Sequence, residues 1–179
     1  LTGDPGTGKT AVAARIVQLH RGDPAAGAVH GLPAGVLSAY HFCQASSTDT
    51  VSPLDFVTSL AHSLANGHPE YRKFLEKQGS TQYRIEPVVN VHGDVAPGGT
   101  AIGGQFNVTI EVRSGDAGPL FDQLLRRPLG ALYAAGHRDP VTILVDSLDE
   151  ALWFDPDSNI AQLLRIARDF PPQVRFLLT

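Results

Sequence analysis

A chain of 179 residues is enough for one domain and too short for two of ordinary size. Hydrophobic residues make up 42% and charged residues 18%, so an apolar core can be buried and wholesale disorder is excluded. The formal charge of −4 argues against a basic nucleic-acid surface, and no apolar run reaches the roughly 20 residues of a membrane span.

The chain opens on Gly3-Asp4-Pro5-Gly6-Thr7-Gly8-Lys9-Thr10. A helical pattern follows at once, with Val12, Ile16 and Leu19 at helical spacing and Gly22 placed to stop it. Residues 21–35 read as a turn-rich loop, and Val36 to Cys43 as a strand. Cys43 is the lone cysteine, which excludes an internal disulfide and fits a reducing, cytoplasmic setting. A buried strand cysteine is the expected role. Ser52 is an N-cap, Pro53 stands at the first helical position and Asp55 supplies a capping-box-like acid. Leu54, Val57, Leu60, Ala61 and Leu64 form that helix's apolar stripe, which Gly67 closes. A short helix from Pro69 to Gln78 follows, carrying Tyr71, Phe74 and Leu75 on one side.

Residues 85–92 and 105–113 alternate like strands, and the Gly-rich stretch 93–104 reads as the long loop of a hairpin. The region 79–117 is therefore expected to be a β-hairpin insertion on the main sheet. A helical pattern returns from Pro119 to Ala135, with a kink or break expected at Pro128. Val141 to Val145 suits a strand buried on both faces. Ser158 to Phe170 reads as an amphipathic helix using Ile160, Leu163, Leu164 and Ala167, ended by Pro171-Pro172, and Val174 to Leu178 as a last buried strand. Alternating strands and helices predict an α/β fold: a three-layer α/β/α arrangement with a mainly parallel sheet and an inserted hairpin. Met is absent and the chain opens inside a motif, so residues 1–179 are expected to be one core domain of a longer protein, truncated at both ends.

Gly3 through Thr10 fits G-x-x-x-x-G-K-[ST], and a helix follows as that pattern requires. Glycines let backbone N–H groups turn inward around a polyphosphate, and the helix N-terminus adds its positive dipole end. Gly3, Asp4, Pro5, Gly6, Thr7, Gly8 and Ala11 are thus expected to line a nucleotide site. Lys9 would reach the β- and γ-phosphates during chemistry, and the Thr10 hydroxyl would ligate Mg²⁺. Such a site needs a partner carboxylate at the end of another strand. Val141-Thr142-Ile143-Leu144-Val145-Asp146 supplies it, making Asp146 the second metal-site candidate. Asp149 and Glu150 follow as a candidate pair for orienting or deprotonating the attacking water. The strand at 36–43 lies between the two motifs, which favours the P-loop NTPases with an inserted central strand.

Asp146-Ser147-Leu148-Asp149-Glu150 resembles the D-[small]-x-D-E signature of NACHT-type ATPases, within the STAND class of signalling P-loop NTPases. Tyr40-His41-Phe42-Cys43-Gln44, with Thr50, Pro53, Phe56 and Ser59-Leu60-Ala61, is similar to the second strand and helix of such domains. Arg175-Phe176-Leu177-Leu178-Thr179 resembles their fourth strand, with Thr179 where a polar γ-phosphate sensor would sit. The resemblance implies an ATP- and ADP-binding, Mg²⁺-dependent and slowly hydrolysing switch. It would couple nucleotide state to flanking domains of the same chain and to self-assembly, with no direct nucleic-acid or membrane partner. It also favours Asp149 over Glu150 as the water-orienting group. Two alternatives stand beside it: an AAA+ ATPase of the origin-recognition type, which calls for Glu directly after Asp146, and a nucleotide-binding scaffold that does not hydrolyse. Arg126-Arg127 reads as a solvated helix face, and Trp153-Phe154 as core packing. The seven His residues show no metal-ligand spacing.

Overall fold

The computed structural model describes residues 2–4, 6–23, 35–90, 105–112, 116–165 and 169–179, with only the backbone for 87–90 and 105–107. Pro5, Ala167, the loop 93–104 and most of the loop 21–35 lie outside the described residues. The strands are β1 (Ala39–Phe42), β2 (Tyr83–Asn90), β3 (Gln105–Val112), β4 (Val141–Asp146) and β5 (Val174–Leu178). The helices are α1 (Lys9–His20), α2 (Thr48–Val51), α3 (Pro53–Gly67), α4 (Pro69–Gln78), α5 (Ala117–Phe121), α6 (Arg127–Ala134) and α7 (Ile160–Arg165). None of them is long and apolar enough to cross a membrane.

The fold is mixed α/β, built on a parallel three-stranded sheet in the order β1-β4-β5. The mostly apolar run of β4, interrupted by the half-buried Thr142, has its reason in this central place. Leu144 faces α1, in a small cluster with Ala13, Val17 and Leu37. Ile143 and Val145 face the opposite way, into the large cluster formed with Phe56, Leu60 and Leu64 of α3. With both faces covered, a strand has no use for alternation. The parallel register sets Phe42 beside Asp146 and Val145 beside Leu178, so all three strands deliver their carboxyl ends to one edge.

α3 begins as its sequence punctuation predicts. The Ser52 hydroxyl accepts the Asp55 N–H at 3.3 Å, and Pro53 takes the first helical position, where no N–H is needed. β1 is shorter than the expected 36–43; ahead of it the Leu37 N–H is donated at 3.3 Å to His20 Nδ1, while the Ser38 N–H reaches the Thr142 carbonyl at 2.7 Å. His41 is buried, bonds the Thr50 carbonyl at 2.7 Å, and has its pKa lowered by that burial.

β2 and β3 pair antiparallel as a separate two-stranded sheet that is not hydrogen-bonded to the parallel one. The hairpin docks on α3 instead. The Asn66 side-chain amide accepts from the Val108 N–H at 2.8 Å and donates to the Val108 carbonyl at 3.3 Å, satisfying both as a neighbouring strand would.

The expected break at Pro128 takes the form of a π-helical segment, Asp122–Arg126, joining α5 to α6 without a gap. Proline offers no N–H to the Leu124 carbonyl four residues back, and a widened turn also relieves the ring's clash with the preceding turn. The fully buried Tyr71 of α4 donates its hydroxyl to that same Leu124 carbonyl. Tyr71→Phe strands the carbonyl in an apolar core and is expected to destabilise the chain by ~1–3 kcal/mol, read from urea unfolding. An unchanged midpoint would show that the carbonyl finds another donor.

Candidate functional site

The glycine-rich loop closes on itself before the helix begins. Gly6 and Gly8 both have φ of +82°, a left-handed backbone that L side chains rarely adopt. A Cβ added at Gly3 would meet Thr7 Oγ1 at 2.8 Å, so that hydroxyl would have to move to admit one. The Thr7 hydroxyl donates to the Asp4 carbonyl at 2.8 Å. Lys9 folds back over the loop, its Nζ donating to the carbonyls of Gly3 at 2.8 Å and Asp4 at 3.1 Å. In α1 the first i→i−4 bond runs from the Val12 N–H to the Gly8 carbonyl, at 3.0 Å. The amides of Lys9, Thr10 and Ala11 precede it, with no acidic side chain in that first turn. Donors without intrahelical acceptors, at a positive dipole end, suit an anion.

Facing the loop is the carboxyl edge of the sheet. Asp146 is 1% exposed, and both its carboxylate oxygens are engaged. Thr179, directly after β5, donates its hydroxyl to Oδ1, and Ser147 donates its own to Oδ2 at 3.2 Å. Thr179 Oγ1 in turn accepts the Ser147 N–H at 3.0 Å. Ser147 Oγ lies 3.5 Å from Thr10 Oγ1, which joins the two motifs across 137 residues of sequence. Gly6, Gly8, Lys9 and Thr10 form one wall of a cleft of about 310 Å³; Ser147, Asp149, Glu150 and Thr179 form the other.

Most of the residues expected to form one site therefore meet around one cleft. Asp146 sits beneath it, Gly3 and Asp4 contribute their carbonyls to Lys9, and Ala11 lies one residue along α1 from the lining. Asp149 and Glu150 differ in their surroundings. The Asp149 carboxylate is exposed, whereas Glu150 Oε2 accepts the Ala45 N–H at 2.6 Å and ties the loop after β4 to the loop after β1. Trp153 and Phe154 differ from expectation. A short 3₁₀ turn, Glu150–Trp153, carries them outward, and Trp153 is 84% exposed. Only Ala151 of that turn reaches the core, because so tight a turn cannot present three successive side chains to one face. Sequence reasoning treated Ser147 only as a small residue; its hydroxyl is the group that bridges the two walls. A serine directly after a strand-end aspartate was the available signal.

The oxygen donors suit a hard cation. A hydroxyl from Thr10 and one carboxylate from Asp146 are what Mg²⁺ takes from a protein when phosphate and water complete its shell. Among the described residues no group of three or more His, Cys, Asp or Glu side chains could hold a metal ion alone.

Fold and site together define a mixed α/β domain in which a glycine-rich loop at a helix N-terminus faces a buried strand-end carboxylate. Residues 1–89 match the family model described as Nephrocystin 3, N-terminal, a match that fits a protein containing a NACHT or STAND module. That span holds the glycine loop, α1, β1 and α2 to α4, and ends within β2. No curated protein and no solved structure matches the chain.

Cys43 borders this acidic edge, its N–H donated to the Asp146 carbonyl at 3.0 Å. Burial, followed by the charges of Glu150, Asp146 and Asp149, pushes its thiol from 9.0 up to about 12. The native thiol should therefore resist iodoacetamide at pH 9, where urea-unfolded chain reacts freely. With its folded pKa raised, Cys43 contributes stability that is whole below 9.0 and lost as pH rises toward about 12. Equal alkylation rates for native and unfolded chain at pH 9 would refute the assignment.

Proposed function

We propose that this chain is a nucleotide-binding module of the STAND, NACHT-like class of P-loop NTPases, taking ATP or ADP with Mg²⁺. The observation that carries the reading is the meeting of two motifs in one cleft, Gly3–Thr10 at the start of α1 and Asp146 at the end of β4. The partial match to the Nephrocystin 3 N-terminal family supports it. The order β1-β4-β5 is the one such a fold requires when its metal-site strand is not the sequence neighbour of its phosphate-loop strand.

On this reading the loop amides and those of the first turn of α1 bind the phosphates. Lys9 exchanges its two backbone carbonyls for β- and γ-phosphate oxygens. Thr10 and Asp146 would hold Mg²⁺, which supplies charge neutralisation to the phosphates when bound. Asp149, exposed on the cleft wall, orients the attacking water. Glu150 holds the loop through the Ala45 amide. Cytoplasmic signalling, coupling to flanking domains and nucleotide-dependent self-assembly belong to the same proposal. The origin-recognition alternative is disfavoured, since Ser147 stands where that type has Glu. The non-hydrolysing scaffold keeps one specific observation in its favour: the Glu150 carboxylate already accepts a hydrogen bond from the Ala45 amide.

Lys9→Ala removes the only cation on the cleft lining among the described residues, and is expected to weaken ATP binding at least about tenfold, or ~1.4 kcal/mol. Isothermal titration giving the wild-type affinity would sink the nucleotide assignment. Single-turnover hydrolysis at saturating ATP separates the two acids. Asp149→Asn should lower the rate by ~10²–10⁴ with binding intact, as expected for loss of a positioned base. Glu150→Gln, which still accepts from Ala45, should have the smaller effect. Wild-type rates in both variants would make this loop structural. Absence of turnover in the wild type would establish the scaffold reading.

A further inference from the structure

We infer that Ser147 is the positioning residue of the cation site: its hydroxyl sets the Asp146 carboxylate opposite Thr10, and its backbone is held left-handed to do so. The inference rests on the nucleotide reading and deepens it. Ser147 is, among the described residues, the one non-glycine residue with positive φ, at 56°. Residues held in that region persist where the surroundings over-determine them, and they gather at functional sites.

Three contacts over-determine it. Its N–H goes to Thr179 Oγ1 at 3.0 Å, its hydroxyl goes to Asp146 Oδ2 at 3.2 Å, and Thr10 Oγ1 stands 3.5 Å from the same hydroxyl. In an extended backbone the side chain would leave the strand end on another bearing and these contacts would not coexist. Thr179 holds the other carboxylate oxygen. The plane of the Asp146 carboxylate is thus fixed from both sides while its remaining lone pairs stay available. Hydrogen bonds to a ligating carboxylate orient it for its ion, and their loss commonly costs 10–100-fold in metal affinity.

Strain and hydroxyl can be separated by substitution. Ser147→Ala removes the hydroxyl and keeps the left-handed strain; Ser147→Gly removes both. The measurement is the ratio of ADP affinity in Mg²⁺ to ADP affinity in EDTA, taken by titration calorimetry on the same chain, beside the thermal midpoint without nucleotide. Both variants should lose about tenfold in that ratio, with ADP affinity in EDTA unchanged and Ser147→Gly melting above Ser147→Ala. A merely structural role predicts something else: the ratio would follow the melting temperature, falling in Ser147→Ala and holding in Ser147→Gly. That pattern, or a ratio unchanged in both, overturns the inference. Wild-type chain that binds no ADP in either buffer overturns the nucleotide reading itself, and this inference with it.

Discussion

A carboxylate almost wholly removed from water fixes how the three parallel strands end. Burying an uncompensated ion costs several kcal/mol, so Asp146 at 1% exposure stands only while its donors stand. Those donors come from different places in the chain. Thr179 arrives because β5 pairs with β4 in the register that sets Leu178 beside Val145. Ser147 arrives because the backbone turns left-handed directly after the strand. β1 adds a bond of its own, from the Cys43 N–H to the Asp146 carbonyl. A slip of one residue in the β4–β5 pairing would turn Thr179 to the wrong face and leave Oδ1 of Asp146 without its donor.

The two faces of the sheet are unequal, and the site takes one wall from the weaker face. α3 presses Phe56, Leu60 and Leu64 into the large cluster and is anchored further by the hairpin through Asn66. α1 rests on the small cluster of Ala13, Val17, Leu37 and Leu144, and its Val12 is 47% exposed. Among the described residues, α1 and its glycine loop thus rest on the smaller of the two clusters, and α3 on the larger.

Much of this was legible in the sequence, for reasons that differ from residue to residue. Ser52-Pro53 announced α3 because capping is local chemistry, decided within four residues. The apolar run 141–145 announced a central strand because burial on both faces leaves no alternation to find. What escaped depends on distant partners. Pro128 signalled a disturbed helix, yet the hydroxyl that meets the Leu124 carbonyl comes from Tyr71 on a neighbouring helix. Glu150 looked like half of a catalytic pair, and only the folded chain brings the Ala45 amide to it. Trp153 looked like core by its chemistry, but a 3₁₀ turn that already buries Ala151 has no inward position left for it. Ser147 was readable as small, while its left-handed backbone follows from Thr179 and Asp146 together.

Electrostatics sets a final condition on what the cleft can hold. Among the described residues Lys9 is the single cation on its lining, against Asp149 and Glu150 on the opposite wall and Asp146 beneath. In that arrangement the ammonium is already solvated by the carbonyls of Gly3 and Asp4. A bare polyphosphate would have to displace those carbonyls while facing three carboxylates, an unfavourable meeting of like charges. The amides at the start of α1 supply only about half an elementary charge, too little to offset three acids. On the proposed reading a divalent cation held by Thr10 and Asp146 would change the balance, because it would supply the positive charge that the lining lacks. If the proposed nucleotide reading holds, the acidity of this edge would favour entry of the phosphates together with their cation, and the position of the Asp146 carboxylate would be the point on which ligand selection turns.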